Sequence, residues 1–217
     1  MAPVTTPPLS TTIPGVLFKY SQFPSLTAFE SPIINNQLLS PNKCILLGGL
    51  SDGLIPTPYT ELLQQECEWS NWSLIQPIIS SSYLGFGSGS LSRDTDEITS
   101  LLSYLKEYRN GKNFAIIGHS TGCQNIVHFL KNCKDEELHH TVKFVALQAP
   151  ASDREGPMAE DREKWKTNIK LATEMKANGK ENEMMPRDVF WAPITASRFL
   201  DLQEYGMSHV QNLKSQI

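Results

Sequence analysis

The chain has 217 residues, a length that suits one domain. Hydrophobic residues make up 40% of it and charged residues 19%, a balance that allows a buried core and excludes a disordered chain. The formal net charge is −4 and there is no basic stripe, so we expect no nucleic-acid partner. No apolar run approaches ~18 residues and no basic segment precedes an apolar one, so we expect neither a membrane span nor a secretory signal.

The four cysteines form no C-x-x-C pair, and most lie in or beside predicted helices and strands. This pattern favours buried free thiols in a reducing compartment, and a cytoplasmic protein is the default expectation. We expect neither a metal site nor a cofactor.

The N-terminal part predicts a tail followed by two short strands. Residues 1–12 are rich in Pro, Thr and Ser, which is typical of a flexible tail. Val16–Tyr20 and Phe29–Leu39 resemble the antiparallel strands that open many α/β sheets, although Pro24 and Pro32 interrupt the runs.

A buried strand and a glycine-rich turn follow. Lys43–Leu47 is a nearly continuous apolar run, and Gly48–Gly53 comes directly after it. Glycine allows a backbone to approach a ligand closely, so the turn is either a functional loop or a plain tight turn. A phosphate-binding loop is disfavoured because the Gly-Lys-Ser/Thr sequence is absent.

The next segments alternate between helix and strand. Thr57 and Pro58 have the residue types of an N-cap and a first helical position. Trp72–Ile79 predicts a strand, and Gly85–Gly89 predicts a flexible loop. Asp94 is expected to cap a helix whose inward face carries apolar residues at helical spacing: Ile98, Leu101, Leu102, Leu105 and Tyr108.

The most informative stretch joins an apolar strand to a helix through Gly-x-Ser-x-Gly. Phe114–Ile117 predicts the strand, and Gly118, Ser120 and Gly122 form the motif. This order is the context of a nucleophile elbow, in which the serine occupies a strained turn and the glycines avoid collisions between strand and helix. The backbone N–H of Thr121 is then expected at a helix N-terminus, where a developing oxyanion is stabilised. The alternative is a tight turn with an incidental serine.

The elbow gives the earlier glycine turn a role. In α/β-hydrolases the second oxyanion donor comes from the loop that follows the third strand. By position, we assign this role to the backbone N–H of Leu50. The helix after the elbow contains His128, which we interpret as a packing or surface residue rather than a catalytic one.

The remaining segments predict one more strand and two helical segments. Val142–Leu147 is a buried strand, and Asp153 and Glu155 follow it on a loop expected to face the cleft. These two acids either contact substrate, or form a solvated charge cluster or a helix cap. Asp161–Gly179 predicts a charged helix, and Trp191–Leu202 is a further aromatic-rich segment. The alternation predicts an α/β fold with a mainly parallel sheet flanked by helices.

No histidine has the position expected of a general base. In this fold the acid and the histidine follow the serine on later strands, and few residues remain after Leu202. His209 is the one late histidine, and no apolar strand precedes it. The side chain of His119 is expected to point away from the serine, and His139 and His140 come before a strand, at the opposite edge of the sheet.

Three segments resemble a fungal and plant α/β-hydrolase family that includes the siderophore esterases acting on fusarinine-type ferric hydroxamates. They are residues 118–124, 147–155 and 193–199. The resemblance runs from about Val16 to Leu202. It implies that Ser120 is the nucleophile, with Leu50 and Thr121 as oxyanion donors.

The resemblance also predicts the domain organisation. A hydrolase domain is expected over residues 13–202, with a lid-like helical insertion at about 156–190 and a divergent tail at 203–217. Relatives continue with two more strands that bear the catalytic acid and histidine, so we expect a chain truncated before them.

Three functions remain open at this point. One is a serine ester hydrolase acting on a small-molecule ester, by resemblance a hydroxamate siderophore. Another is a non-catalytic or truncated hydrolase-like protein that lacks the catalytic acid and histidine. The third keeps the fold but acts on a thioester, a lipid or a peptide. An amine-bearing substrate would favour an acidic cleft, and Asp153 is the first candidate for an acidic contact. Alternatively, Arg154 pairs with the neighbouring acids and cancels their charge. Asp52 is a second candidate, unless it simply closes the glycine turn.

Overall fold

The computed structural model describes residues 12–31, 40–150 and 160–204. Nearly all of the tail predicted over residues 1–12 lies outside this part of the chain, as do the loop acids Asp153 and Glu155 and the tail residue His209.

The described strands form a six-stranded mixed sheet in the order β1-β2-β4-β3-β5-β6. The first two strands run antiparallel, and β3 to β6 run parallel to one another. The strands are β1 (Val16–Ser21), β2 (Leu26–Glu30), β3 (Asn42–Leu47), β4 (Ser73–Ile78), β5 (Asn113–His119) and β6 (Val142–Gln148). The predicted α/β class is therefore confirmed.

The second strand ends earlier than the sequence predicts. It was expected over Phe29–Leu39, but β2 ends at Glu30, and residues 32–39 lie outside the described part. The pairing with β4 explains the observed position, because Thr27 to Glu30 align with Ile78 to Ile75.

Helices cover the sheet and fill the connections between the parallel strands. Their bounds are α1 (Thr60–Trp69), α2 (Leu91–Tyr108), α3 (Gly122–Asn132), α4 (Glu136–Thr141), α5 (Arg162–Ala177) and α6 (Ala196–Glu204). Among the described residues, no helix has the length and apolarity needed to cross a membrane.

The main core lies where α2 and α3 pack on the central strands. Ile98, Leu101, Leu102 and Leu105 of α2 are fully buried there, as the helical spacing predicted. Tyr108 differs, because it is 60% exposed and its ring packs against Tyr104 on the helix surface. The burial of this apolar face is the main term that fixes α2 on the sheet.

Two helix starts differ from the sequence prediction. The N-cap of α2 is Ser90, whose side chain accepts from the N–H of Arg93, while Asp94 lies inside the first turn and is buried. Helix α1 begins at Thr60 rather than beside Thr57, because Thr57 belongs to a preceding turn in which its hydroxyl pairs with that of Thr60. Capping depends on how the chain enters the helix, which residue type alone does not fix.

The segment predicted as a flexible Gly85–Gly89 loop is instead a 3₁₀ helix, Tyr83–Ser88. Contact with the segment before α6 orders it, since the carbonyl of Gly87 accepts from the N–H of Thr195 at 2.8 Å. A Cβ on Gly87 would lie 2.0 Å from the Pro193 carbonyl oxygen, so only glycine allows this approach.

Helices α5 and α6 share a second, separate apolar cluster. The charged helix predicted over Asp161–Gly179 is confirmed as α5, and Asp161 caps it by accepting from the N–H of Lys164 at 2.9 Å. The cluster joins α5 to α6 and to the segment between them through Ala172, Met185, Ile194, Ala196, Phe199 and Leu202. The lid-like insertion at about 156–190 stays a prediction.

Candidate active site

Ser120 occupies the turn between β5 and α3 with a φ of 53°. Positive φ is unfavourable for a residue with a side chain and is found where surrounding structure enforces it. Strand β5 ends one residue before Ser120, and α3 begins two residues after it. The strand–turn–helix arrangement predicted from the Gly-x-Ser-x-Gly motif is therefore confirmed.

The two motif glycines allow the close packing that the elbow requires. A Cβ on Gly118 would lie 2.8 Å from the backbone nitrogen of Cys123 and from the Gly122 carbonyl oxygen. A Cβ on Gly122 would lie 2.5 Å from the Gly48 carbonyl oxygen and 2.6 Å from that of Leu47. Gly118 therefore allows β5 to pack closely against the start of α3, and Gly122 allows α3 to pack closely against the end of β3.

The two residues assigned as oxyanion donors line one cavity. Thr121 directly precedes α3 and Leu50 lies in the glycine turn, and both contribute to a cavity of about 30 Å³. A volume of this size holds one or two water molecules, so it suits a carbonyl oxygen rather than a whole substrate.

The glycine turn lies directly against the elbow. A Cβ on Gly49 would lie 2.9 Å from the Cβ of Ser120, so the two backbones are in contact. Asp52 closes the turn, because its Oδ2 accepts from the N–H of Gly49 at 2.7 Å and its own N–H donates to the Gly49 carbonyl at 3.1 Å. This is the turn-closing alternative considered for Asp52 from the sequence.

Cys123 is the thiol nearest to the nucleophile position, and it is buried. Its Sγ donates to the Gly118 carbonyl at 3.1 Å, and burial raises the pKa of the thiol to about 11. A thiol with this pKa is protonated at neutral pH and is a poor nucleophile. Cys123 is therefore not an alternative to Ser120 as the nucleophile.

None of the described histidines forms a hydrogen bond with Ser120. His128 has its Nδ1 2.7 Å from the Thr95 hydroxyl in the α2–α3 interface, which confirms a packing role, and burial lowers its pKa. His139 and His140 lie in α4, which directly precedes β6, at the opposite edge of the sheet. His119 faces Asp52, with 3.7 Å between its Nδ1 and the carboxylate Oδ2.

The structure adds buried residues at the cavity that sequence reasoning did not assign. Phe86 and Arg198 both line the cavity, and the Nε–H of Arg198 donates to the Phe86 carbonyl at 3.1 Å. Ser81 also lines it and donates to the buried carboxylate of Asp94. Arg198 belongs to the segment 193–199, which carries part of the family resemblance. That resemblance was the signal in the sequence that could have identified it.

This sheet topology and elbow define an α/β-hydrolase. Two solved structures agree. The siderophore hydrolase EstB from Aspergillus fumigatus superposes with a TM-score of 0.67 at 29% identity, over 89% of this chain and 65% of that one. An α/β-hydrolase fold protein of unknown function superposes with a TM-score of 0.66 at 19% identity, over 87% of this chain and 62% of that one.

The chain belongs to the DUF1749 family, described as a protein of unknown function, whose model matches residues 7–209. The UPF0613 protein PB24D3.06c of Schizosaccharomyces pombe is 32% identical to it over 90% of this chain and 65% of its own length. Fusarinine C esterase sidJ of Aspergillus fumigatus is 34% identical over 66% of this chain and 45% of its own length. The chain therefore spans about half to two thirds of the length of these relatives.

Proposed function

We propose that the protein is a serine ester hydrolase that works through an acyl-enzyme. In the first step the Ser120 oxygen attacks the ester carbonyl carbon and its proton passes to a base, which gives that proton to the departing alcohol as the ester C–O bond breaks. In the second step the base takes a proton from a water molecule that attacks the acyl-enzyme. The bond to Ser120 then breaks, the acid is released, and the proton returns to the Ser120 oxygen. The observation that supports this best is the positive φ of Ser120 beside the cavity lined by Leu50 and Thr121.

The backbone N–H groups of Leu50 and Thr121 are proposed to bind the oxyanion. The N-terminus of α3 adds the positive end of a helix dipole at the Thr121 position. Preorganised donors of this kind are each worth on the order of 10²–10³ in rate, because they act where charge develops in the transition state.

The general base of this mechanism is not among the described histidines. A serine hydroxyl is a weak nucleophile without one, so the proposal needs a base. His209, which lies outside the described residues, is the first candidate.

The proposed substrate is a small-molecule ester, and the named relatives favour a hydroxamate siderophore. One relative is named a fusarinine C esterase and one solved neighbour a siderophore hydrolase. Asp153 and Glu155 remain the proposed contacts for an amine-bearing substrate.

Hydrolysis of p-nitrophenyl acetate and of ferric fusarinine C tests the proposal. We expect turnover that falls at least ~10³-fold in Ser120→Ala, since triad serines contribute at least this much, and that falls similarly in His209→Ala. Equal turnover in wild type and Ser120→Ala would contradict the proposal. Siderophore binding without any hydrolysis would instead support the non-catalytic alternative.

A further inference from the structure

A single carboxylate lies between the glycine turn and the side chain of the residue before the nucleophile position. Asp52 Oδ2 accepts from the N–H of Gly49 at 2.7 Å, on the glycine turn. The same oxygen lies 3.7 Å from Nδ1 of His119, the residue before the nucleophile position. Both side chains are only 29% exposed, so solvent screens this contact less than it would at the surface.

The contacts of Asp52 leave Leu50 at the tip of a closed turn. The reciprocal bonds between Asp52 and Gly49 close a ring that contains Leu50 and Ser51, and Ser51 has a φ of 65°. The carbonyl of Asp52 also accepts from the N–H of Tyr83 at 3.0 Å, which fixes the far side of the turn to the 3₁₀ helix. The direction of the Leu50 N–H therefore depends on these bonds.

The glycine turn packs closely against the elbow. A Cβ built on Gly49 would lie 2.9 Å from the Cβ of Ser120, so the turn and the nucleophile position are in close contact. A shift of the turn therefore changes the position of Leu50 relative to Ser120. A displacement of about 1 Å between reacting groups costs up to about 10²-fold in rate.

We propose that Asp52 is a positioning residue that holds the glycine turn against the elbow, so that the Leu50 N–H is presented opposite that of Thr121. This assignment rests on the proposed function of the site. It acts through the backbone of Gly49 and not through contact with substrate. The charge-assisted hydrogen bond from the Gly49 N–H to the carboxylate is the link.

The test compares Asp52→Ala and Asp52→Asn with wild type in the rate at which a fluorophosphonate labels Ser120. We expect a 10- to 100-fold lower rate for Asp52→Ala. We expect a smaller loss for Asp52→Asn, because its amide oxygen still accepts from Gly49. With p-nitrophenyl acetate, kcat should fall while KM stays within about twofold, since the residue does not touch substrate.

Asp135→Ala is the matched control, because Asp135 accepts from the N–H of Leu138 at 2.8 Å at the start of α4, far from the cleft. It should lose similar stability without slower labelling. Labelling of Asp52→Ala within twofold of wild type, or no rescue by Asp52→Asn, would overturn the proposal.

The failure of the proposed function gives a different result. If Ser120 is not labelled in wild type, that function fails, and hydrogen exchange at the Gly49 amide then decides whether Asp52 holds the turn. Exchange at least tenfold faster in Asp52→Ala than in Asp135→Ala supports the holding role, and equal exchange overturns it.

Discussion

Ser120 is a residue whose backbone conformation follows from its neighbours rather than from its own preference. Its positive φ is held by backbone bonds on both sides, since its N–H donates to the Gln148 carbonyl at 3.0 Å and its carbonyl accepts from Cys123 at 3.1 Å. The motif glycines predicted this turn because only residues without a Cβ fit there. The approach of Asp52 to His119 was not predictable, because it brings a loop residue close to the end of β5, which is distant in sequence.

The first prediction concerns the stability lost when Gly122 is replaced. Replacing it with alanine places a methyl group 2.5 Å from the carbonyl oxygen of Gly48, just after β3, and 2.6 Å from that of Leu47 at its end. We expect the free energy of unfolding to fall by about 1–3 kcal/mol in urea titrations. Lys131→Ala, on an exposed position of the same helix, is the control and should change it by less than about 0.5 kcal/mol. Equal effects of the two changes would contradict this account of the glycine.

The second prediction concerns how the buried carboxyl of Asp94 makes the free energy of unfolding depend on pH. Burial, opposed by Arg198, raises the pKa of this carboxyl to about 6. In the unfolded chain the pKa of an aspartate is about 3.9, so between pH 4 and 6 the folded state binds this proton more strongly than the unfolded state does. The free energy of unfolding therefore falls as the pH rises through that window. Ionisation of Asp94 therefore costs about 3 kcal/mol above pH 6. Asp94→Asn should remove this fall in urea titrations from pH 4 to 7.

The exposed neighbour Asp96 provides the control for that measurement. Asp96→Asn should leave the fall in stability between pH 4 and 6 in place. An unchanged pH dependence in Asp94→Asn would show that another group causes it.

At the scale of elements, one buried carboxylate joins three strands and the end of a helix. Glu30 of β2 accepts from Lys43 of β3, Ser73 of β4 and Arg109, which follows α2. Lys43 is fully buried, and burial lowers its pKa while Glu30 opposes that effect. The network fixes the order of the strands at the edge of the sheet opposite the cleft.

Removing the charge of Glu30 should leave a buried cation without its partner. We expect Glu30→Gln to lower the free energy of unfolding by about 3–5 kcal/mol at pH 7. The loss should shrink toward pH 10, because an unpaired buried Lys43 releases its proton there. Glu137→Gln, which breaks a largely exposed pair with Lys106, should cost no more than about 1 kcal/mol. Similar losses in the two variants would contradict the role of the network.

Continuous apolar runs made the central elements predictable. The runs at β3, β4 and β5 are buried between helices on both faces, so their composition alone identified them. The 3₁₀ helix was missed because tertiary contacts order it, and its own Gly/Ser-rich sequence favours a loop. The helix starts at α1 and α2 were displaced for a related reason, since the entering chain selects the cap.

At the scale of the whole molecule, the α/β class and the elbow could be predicted from the sequence. The cleft could be predicted only in part. The backbone donors follow from the motif positions, whereas Phe86 and Arg198 reach the cavity through the packing of α6 on the 3₁₀ helix. Long-range packing of this kind has no local sequence signal.

Labelling with a fluorophosphonate followed by peptide mass spectrometry tests whether Ser120 is the nucleophile. We expect one adduct, on the peptide that contains Ser120, and none in Ser120→Ala. An adduct that forms equally fast in Ser120→Ala, or that lies on another residue in wild type, would contradict this assignment.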